Sequence, residues 1–88
     1  MRIRVTERYR RSVDRMPHRI RKAAAQALVK LVENPRSRGL NLERLSGWED
    51  TYSIRVNRQY RILLVREVDA AGELFAVVDI GTHQIYRR

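Results

Sequence analysis

Apolar residues alternate with arginine at the start of the chain. Ile3 and Val5 stand against Arg2 and Arg4, a period of two that predicts a short strand over 1–5. Thr6 then offers a side-chain oxygen to cap a helix. Tyr9, Val13 and Met16 recur at spacings of four and three, so a first helix is expected to run to about Arg15 with one face on a sheet. Met16-Pro17 interrupts it, because proline disfavours a helical residue before it and is tolerated in the first turn after it. From Pro17 to Glu33, the residues Ile20, Ala24, Ala27, Leu28 and Leu31 form one stripe at helical spacing. Asn34-Pro35 stops this second helix.

Residues 36–50 show no period, and Leu40, Leu42 and Leu45 are the expected anchors of an irregular segment with a turn at Ser46-Gly47. Beyond it Tyr52, Ile54 and Val56 alternate with Ser53, Arg55 and Asn57, the mark of a half-buried strand. Asn57-Arg58-Gln59 makes a short hairpin connection into Tyr60–Glu67, which is apolar at both parities and so expected to be covered on both faces. A turn containing Gly72 precedes a further apolar strand, Leu74 to Ile80, which Gly81-Thr82 breaks before a short terminal piece over 83–88. The expectation is one α+β domain over 1–88. It has an N-terminal strand, then a two-helix hairpin packed on one face of a mostly antiparallel four-stranded sheet.

Composition narrows the chemistry. The 88 residues include no cysteine, which excludes a disulfide framework, a thiolate metal site and a cysteine nucleophile. With only two histidines, a histidine-rich metal centre is excluded too, and no metal or cofactor is expected. The longest apolar runs, Ile62 to Val65 and Leu74 to Val78, are far too short for a membrane span. The basic N-terminus has no apolar stretch behind it, so a signal peptide is not expected and a cytoplasmic protein is.

Charge changes the picture more. The formal net charge is +9. Residues 1–38 hold ten Arg and two Lys against Glu7, Asp14 and Glu33, whereas residues 39–88 hold seven Arg against seven acids. Guanidinium forks match phosphate oxygens, so nucleic acid is the partner this surplus points to. The alternative is that the arginines only solvate two helices.

Several motifs, in order, resemble the RelE/ParE toxin superfamily of bacterial toxin–antitoxin systems. They are the opening strand with Thr6, the helical pair, Asn34-Pro35-Arg36, and Leu40 to Gly47 ending Arg44-Leu45-Ser46-Gly47. Tyr52-Ser53-Ile54-Arg55-Val56 and Tyr60-Arg61-Ile62-Leu63 follow, then Asp79-Ile80-Gly81-Thr82-His83 and Ile85-Tyr86-Arg87. The resemblance covers nearly the whole chain. It implies a ribosome-dependent mRNA endonuclease, neutralised by a small cognate antitoxin, acidic and partly disordered when free, that wraps the toxin.

Metal-free RNA cleavage uses the 2′-OH as nucleophile on the adjacent phosphate, so the enzyme must align the backbone, stabilise the phosphorane and move protons. Arg55 and Arg61 flank one short hairpin and can converge on a phosphate; both match cationic positions of the RelE-type site. Arg61 could instead pair with Asp79 or a main-chain carbonyl and stiffen the sheet. His83 follows the last strand, where a residue titrating near neutrality can act as base or acid, and it matches the histidine or arginine found there in family nucleases. Tyr86 matches a C-terminal tyrosine that implies stacking on a base, or else it packs on the core. Arg10, Arg11, Arg15 and Arg58 are the expected contacts to ribosomal RNA.

Departures from the family pattern also stand in the sequence. Ser53 occupies a position where some members carry a catalytic lysine, and only Gln84 and Ile85 separate His83 from Tyr86. Glu43 falls in the loop where certain relatives place a carboxylate base, and solvated loop is the competing reading. Trp48 is a candidate for base stacking or antitoxin contact, or a loop anchor. His18 has no neighbouring motif. Two other functions fit the same chain: a ParE-type toxin that inhibits DNA gyrase without cutting RNA, and a non-toxic basic binding module.

Overall fold

A computed structural model of the chain describes residues 1–82 and Ile85. Along them run β1 (Arg2–Val5), α1 (Glu7–Asp14), α2 (His18–Glu33), β2 (Glu43–Arg44), β3 (Thr51–Arg55), β4 (Arg61–Asp69) and β5 (Gly72–Gly81). Thr6 caps α1 as expected, its side-chain oxygen accepting from the Tyr9 amide, and its hydroxyl donates to the carbonyl of Val77 at 2.7 Å. That second bond ties the first helical turn to β5. Asn34 closes α2, as the Asn-Pro pair predicts. Among the described residues no helix is long and apolar enough to cross a membrane.

The strands form one sheet in the order β1-β5-β4-β3-β2. Only β1 is parallel to its neighbour, with Ile3 opposite Phe75; the other pairs are antiparallel. The sheet therefore has five strands where the pattern predicts four. The additional strand, β2, is two exposed residues, Glu43 and Arg44, paired with Ser53 and Tyr52. It is made by backbone hydrogen bonding with no apolar alternation, so hydropathy cannot reveal it.

The stripe of α2 does what its spacing implies. Ile20, Ala24, Ala27 and Leu31 are buried, with Tyr9 of α1, against Ile54, Ile62, Leu64 and Val77 of the sheet. In β4, Ile62, Leu63 and Leu64 are all buried, as expected of a strand covered on both faces. The expectation for β3 needs correcting. Ser53, placed by alternation on a solvent-facing side, is buried, as is Thr51 at the start of the strand. Their side chains are short, and Ser53 lies between Glu43 and Leu63 on the flanking strands, which shade it. Thr51 satisfies its hydroxyl on the carbonyl of Glu49 at 2.8 Å.

Leu40 pins the connection from α2 to the sheet. It is 1% exposed, between two residues in the left-handed region, Gly39 (φ 83°) and Asn41 (φ 55°). Its carbonyl accepts from the Arg55 amide at 2.7 Å, so the loop runs against the end of β3.

Two outcomes follow from this core. Leu40→Ala should lower unfolding stability by about 2–5 kcal/mol, measured as a shift in the urea midpoint, because the loop has to move for the cavity to close. Burial pushes the Tyr9 hydroxyl from 10.0 up to about 12. The folded state thus keeps Tyr9 neutral while the unfolded chain ionises it. Stability contributed by this group is full below pH about 10 and is lost as pH rises from there toward 12. Urea melts over that range should show the decline, and Tyr9→Phe should flatten it.

Candidate functional site

The β3–β4 hairpin is locked at its tip. The Asn57 side-chain oxygen accepts from the amides of Gln59 and Tyr60 at 2.9 and 2.8 Å. On either side of this turn Arg55 and Arg61 occupy directly opposite register positions. Like charges at such positions repel. Arg61 is half-buried, and its Nη1 donates to the carbonyls of Asn57 and Tyr60 at 2.7 and 3.0 Å. Of the two structural roles open to Arg61, the main-chain carbonyl is the one observed. Asp79 is taken by Arg8 of α1 at 2.9 Å. The remaining donors of Arg61, and the exposed guanidinium of Arg55, meet no carboxylate among the described residues.

The end of β5 adjoins this pair. Gly81 sits across from Arg61 in the register. A Cβ on Gly81 would collide with Cγ2 of Ile85, so the turn after β5 closes back over the strand end beside Arg61. The Ile85 amide donates to the carbonyl of Thr82 at 3.0 Å and fixes that turn. His83 and Tyr86 lie outside the described residues.

Charge is sorted in space differently from along the chain. At the β4–β5 turn, the Arg2 guanidinium bonds both oxygens of Asp69 at 3.0 and 2.8 Å, and Arg4 bonds Glu67 at 2.9 Å. Arg66 bonds Glu73 and lies 3.7 Å from Asp50. Asp69 is held below the usual carboxylate range, chiefly by its hydrogen bond from Arg2 and then by the Ala71 amide. So Arg2, Arg4 and Arg8 of the basic N-terminal half are matched by acids of the neutral half. Cations without an ion pair among the described residues include Arg19, Arg21 and Lys22 of α2 and Arg55, Arg58 and Arg61 of the β3–β4 hairpin, along with Arg10 and Arg15 at α1 and Arg36, Arg38 and Arg44.

The four expected RNA contacts are all exposed, but they do not form one group. Arg10 and Arg11 lie on α1, where Arg11 faces Glu7 at 3.8 Å, and Arg15 caps that helix. Arg58 is elsewhere, at the hairpin tip, and lines a concavity with Arg19, Ala23, Asn57 and Gln59. Arg19 was not singled out from the sequence. It is one of several arginines in the basic stretch, and only the docking of α2 against the hairpin distinguishes it.

The remaining candidates separate clearly. Ser53 is buried, and Glu43 is exposed on β2 with its carboxylate accepting from the Asn41 side-chain amide at 2.9 Å. Trp48 is half-buried in the loop after β2, its amide donating to Leu45 at 3.3 Å. His18 is exposed at the first residue of α2. Among the described residues no group of three His, Cys, Asp or Glu side chains is arranged to hold a metal ion.

No family model matches this sequence, and no curated protein matches it. Solved structures do. A YoeB/ParE toxin from Agrobacterium tumefaciens superposes with a TM-score of 0.73 at 15% identity, over 94% of this chain and 99% of that one. YafQ from E. coli gives 0.74 at 16% identity, over the whole of both chains. The E. coli RelBE toxin–antitoxin complex contributes a chain at 0.67 and 22% identity, with 92% of this chain and 94% of that one covered. The chain is thus similar in fold to RelE/ParE-like toxins, as the motif order implies.

Gly81→Ala should displace Ile85 and leave the rest of the sheet in place. Amide exchange at Ile85 is expected to accelerate on that substitution while exchange in β4 is unchanged.

Proposed function

We propose that this chain, built on the fold of the RelE/ParE-like toxins, is the toxin of a type II toxin–antitoxin pair and cleaves messenger RNA in the ribosomal A site. The carrying observation is the Arg55–Arg61 pair. Two guanidiniums face each other across the hairpin with no carboxylate paired to either among the described residues, while arginines at the opposite end of β4 are matched by acids. Such a pair repels itself until an anion arrives. A phosphodiester is the anion whose geometry suits two forks.

In this reading the substrate 2′-oxygen attacks the adjacent phosphorus, the new O–P bond forms, and the bond to the 5′-oxygen breaks. Arg55 and the outward donors of Arg61 hold the phosphate and stabilise the charge that builds on its oxygens. The carbonyl bonds of Arg61 keep its guanidinium in one orientation, which favours this over a mobile cation. His83 follows the end of β5 in the sequence. It would take the proton from the 2′-OH or give one to the leaving oxygen. Tyr86 would stack on a base. Arg10, Arg11 and Arg15 of the basic helical half would hold ribosomal RNA, and an acidic, partly disordered cognate antitoxin would cover the site between uses. The setting is cytoplasmic.

Expression of the wild type beside a His83→Ala, Arg61→Ala double variant tests this. Growth arrest and message cleavage should both disappear in the variant. Arrest with intact messages and induced DNA damage would instead make the chain a gyrase-inhibiting toxin. Arg61→Lys should by itself lower cleavage on the order of a hundredfold, since a point charge cannot replace the fork. Wild-type cleavage by that variant would remove the clamp.

A further inference from the structure

The concavity between α2 and the tip of the β3–β4 hairpin is lined by Arg19 and Ala23 from the helix and by Asn57, Arg58 and Gln59 from the turn. Arg19 and Ala23 are four residues apart and so share one helix face, where alanine leaves the space open. Neither Arg19 nor Arg58 forms an ion pair among the described residues, and both are exposed. The turn that carries Arg58 is held by two bonds onto the Asn57 side chain, one from Arg61 onto the Asn57 carbonyl, and backbone bonds from the Val56 and Asn57 amides to the Tyr60 carbonyl. Its position is therefore set before any ligand arrives, which lowers the ordering cost of binding.

We infer that this cleft is a second phosphate subsite, in which Arg19 and Arg58 grip the RNA backbone beside the phosphate held by Arg55 and Arg61. The inference rests on the nuclease reading for the identity of the strand. The same side chain, Arg61, braces the tip from the neighbouring site, so the two subsites share one rigid hairpin. The walls favour a polynucleotide over an acidic protein segment. Two guanidiniums and two side-chain amides stand around a floor of aliphatic stems and Ala23, whereas the large apolar side chains exposed on the chain, such as Val29, Val32 and Val68, lie outside the cleft. A docked peptide helix needs an apolar anchor as well as charge.

The test is the binding of a non-cleavable 2′-O-methyl RNA strand by fluorescence anisotropy, in KCl between about 50 and 200 mM. Arg19→Gln and Arg58→Gln should each weaken binding roughly tenfold. Each should also reduce the slope of log affinity against log salt by about 0.7, the value for one phosphate contact to a single strand. Arg36→Gln, which removes an exposed cation outside the cleft, should leave the slope as it is. Unchanged slopes in the cleft variants, or an equal change in Arg36→Gln, would overturn the subsite. So would an equal loss of affinity for polyglutamate, which would mark the cleft as a protein-binding surface. Growth arrest by the wild type decides the toxin reading separately. A harmless protein whose cleft variants still lose RNA would keep the subsite and lose the toxin.

Discussion

Burial of one helical stripe against the middle of the sheet carries this fold. Ile20, Ala24, Ala27 and Leu31 cover Ile54, Ile62, Leu64 and Val77, the centre of the largest buried cluster among the described residues, and so small a chain has little other apolar surface to bury. The alanines let α2 approach the strands closely. With the helix seated there, the loop that leaves it has one short route back, and Leu40 fixes that route by entering the same core. The position of β3, and with it the hairpin bearing Arg55 and Arg61, is set by this packing.

Pairing β1 beside β5 has an electrostatic consequence. It brings Arg2 and Arg4 to the far end of the sheet, where Asp69 and Glu67 are waiting. These exposed pairs add little to stability individually. Their effect on the surface is larger, because they consume the acids that could otherwise neutralise the hairpin. Asp79, the carboxylate of β5 nearest the hairpin end, is drawn off by Arg8. α2 and the hairpin thereby keep unmatched cations that contribute a large part of the net charge of +9, while the far end of the sheet is neutralised.

Arg61 belongs to both the scaffold and the candidate site. Its Nη1 closes the hairpin from inside, and its other donors face the same side of the sheet as Arg55. A residue with both duties makes the site rigid, but it also means that loss of the side chain disturbs geometry as well as charge. Gly81 contributes in the opposite way, through the absence of a side chain, since that space is what Ile85 fills.

What the sequence determined by itself is the part of the structure written in local periods. The Thr6 cap, the α2 stripe, the Asn34-Pro35 stop, the doubly apolar β4 and the α+β class were all legible, because each depends on residues within a few positions of one another. Arg55 and Arg61 were legible as a pair for the same reason, being separated by one turn. Only the tertiary structure decided the rest. The strand β2 has no hydropathy signal, and the burial of Ser53 depends on what stands on the strands beside it. The partner of Arg61 and the meeting of Arg19 with Arg58 depend on how distant segments dock. The match of Arg2 with Asp69, 67 residues away, could not be read from a charge tally that made one half basic and the other neutral. Periodicity reports which face of an element is buried, but Coulomb pairing and cleft formation are set by distances that exist only once the elements have packed.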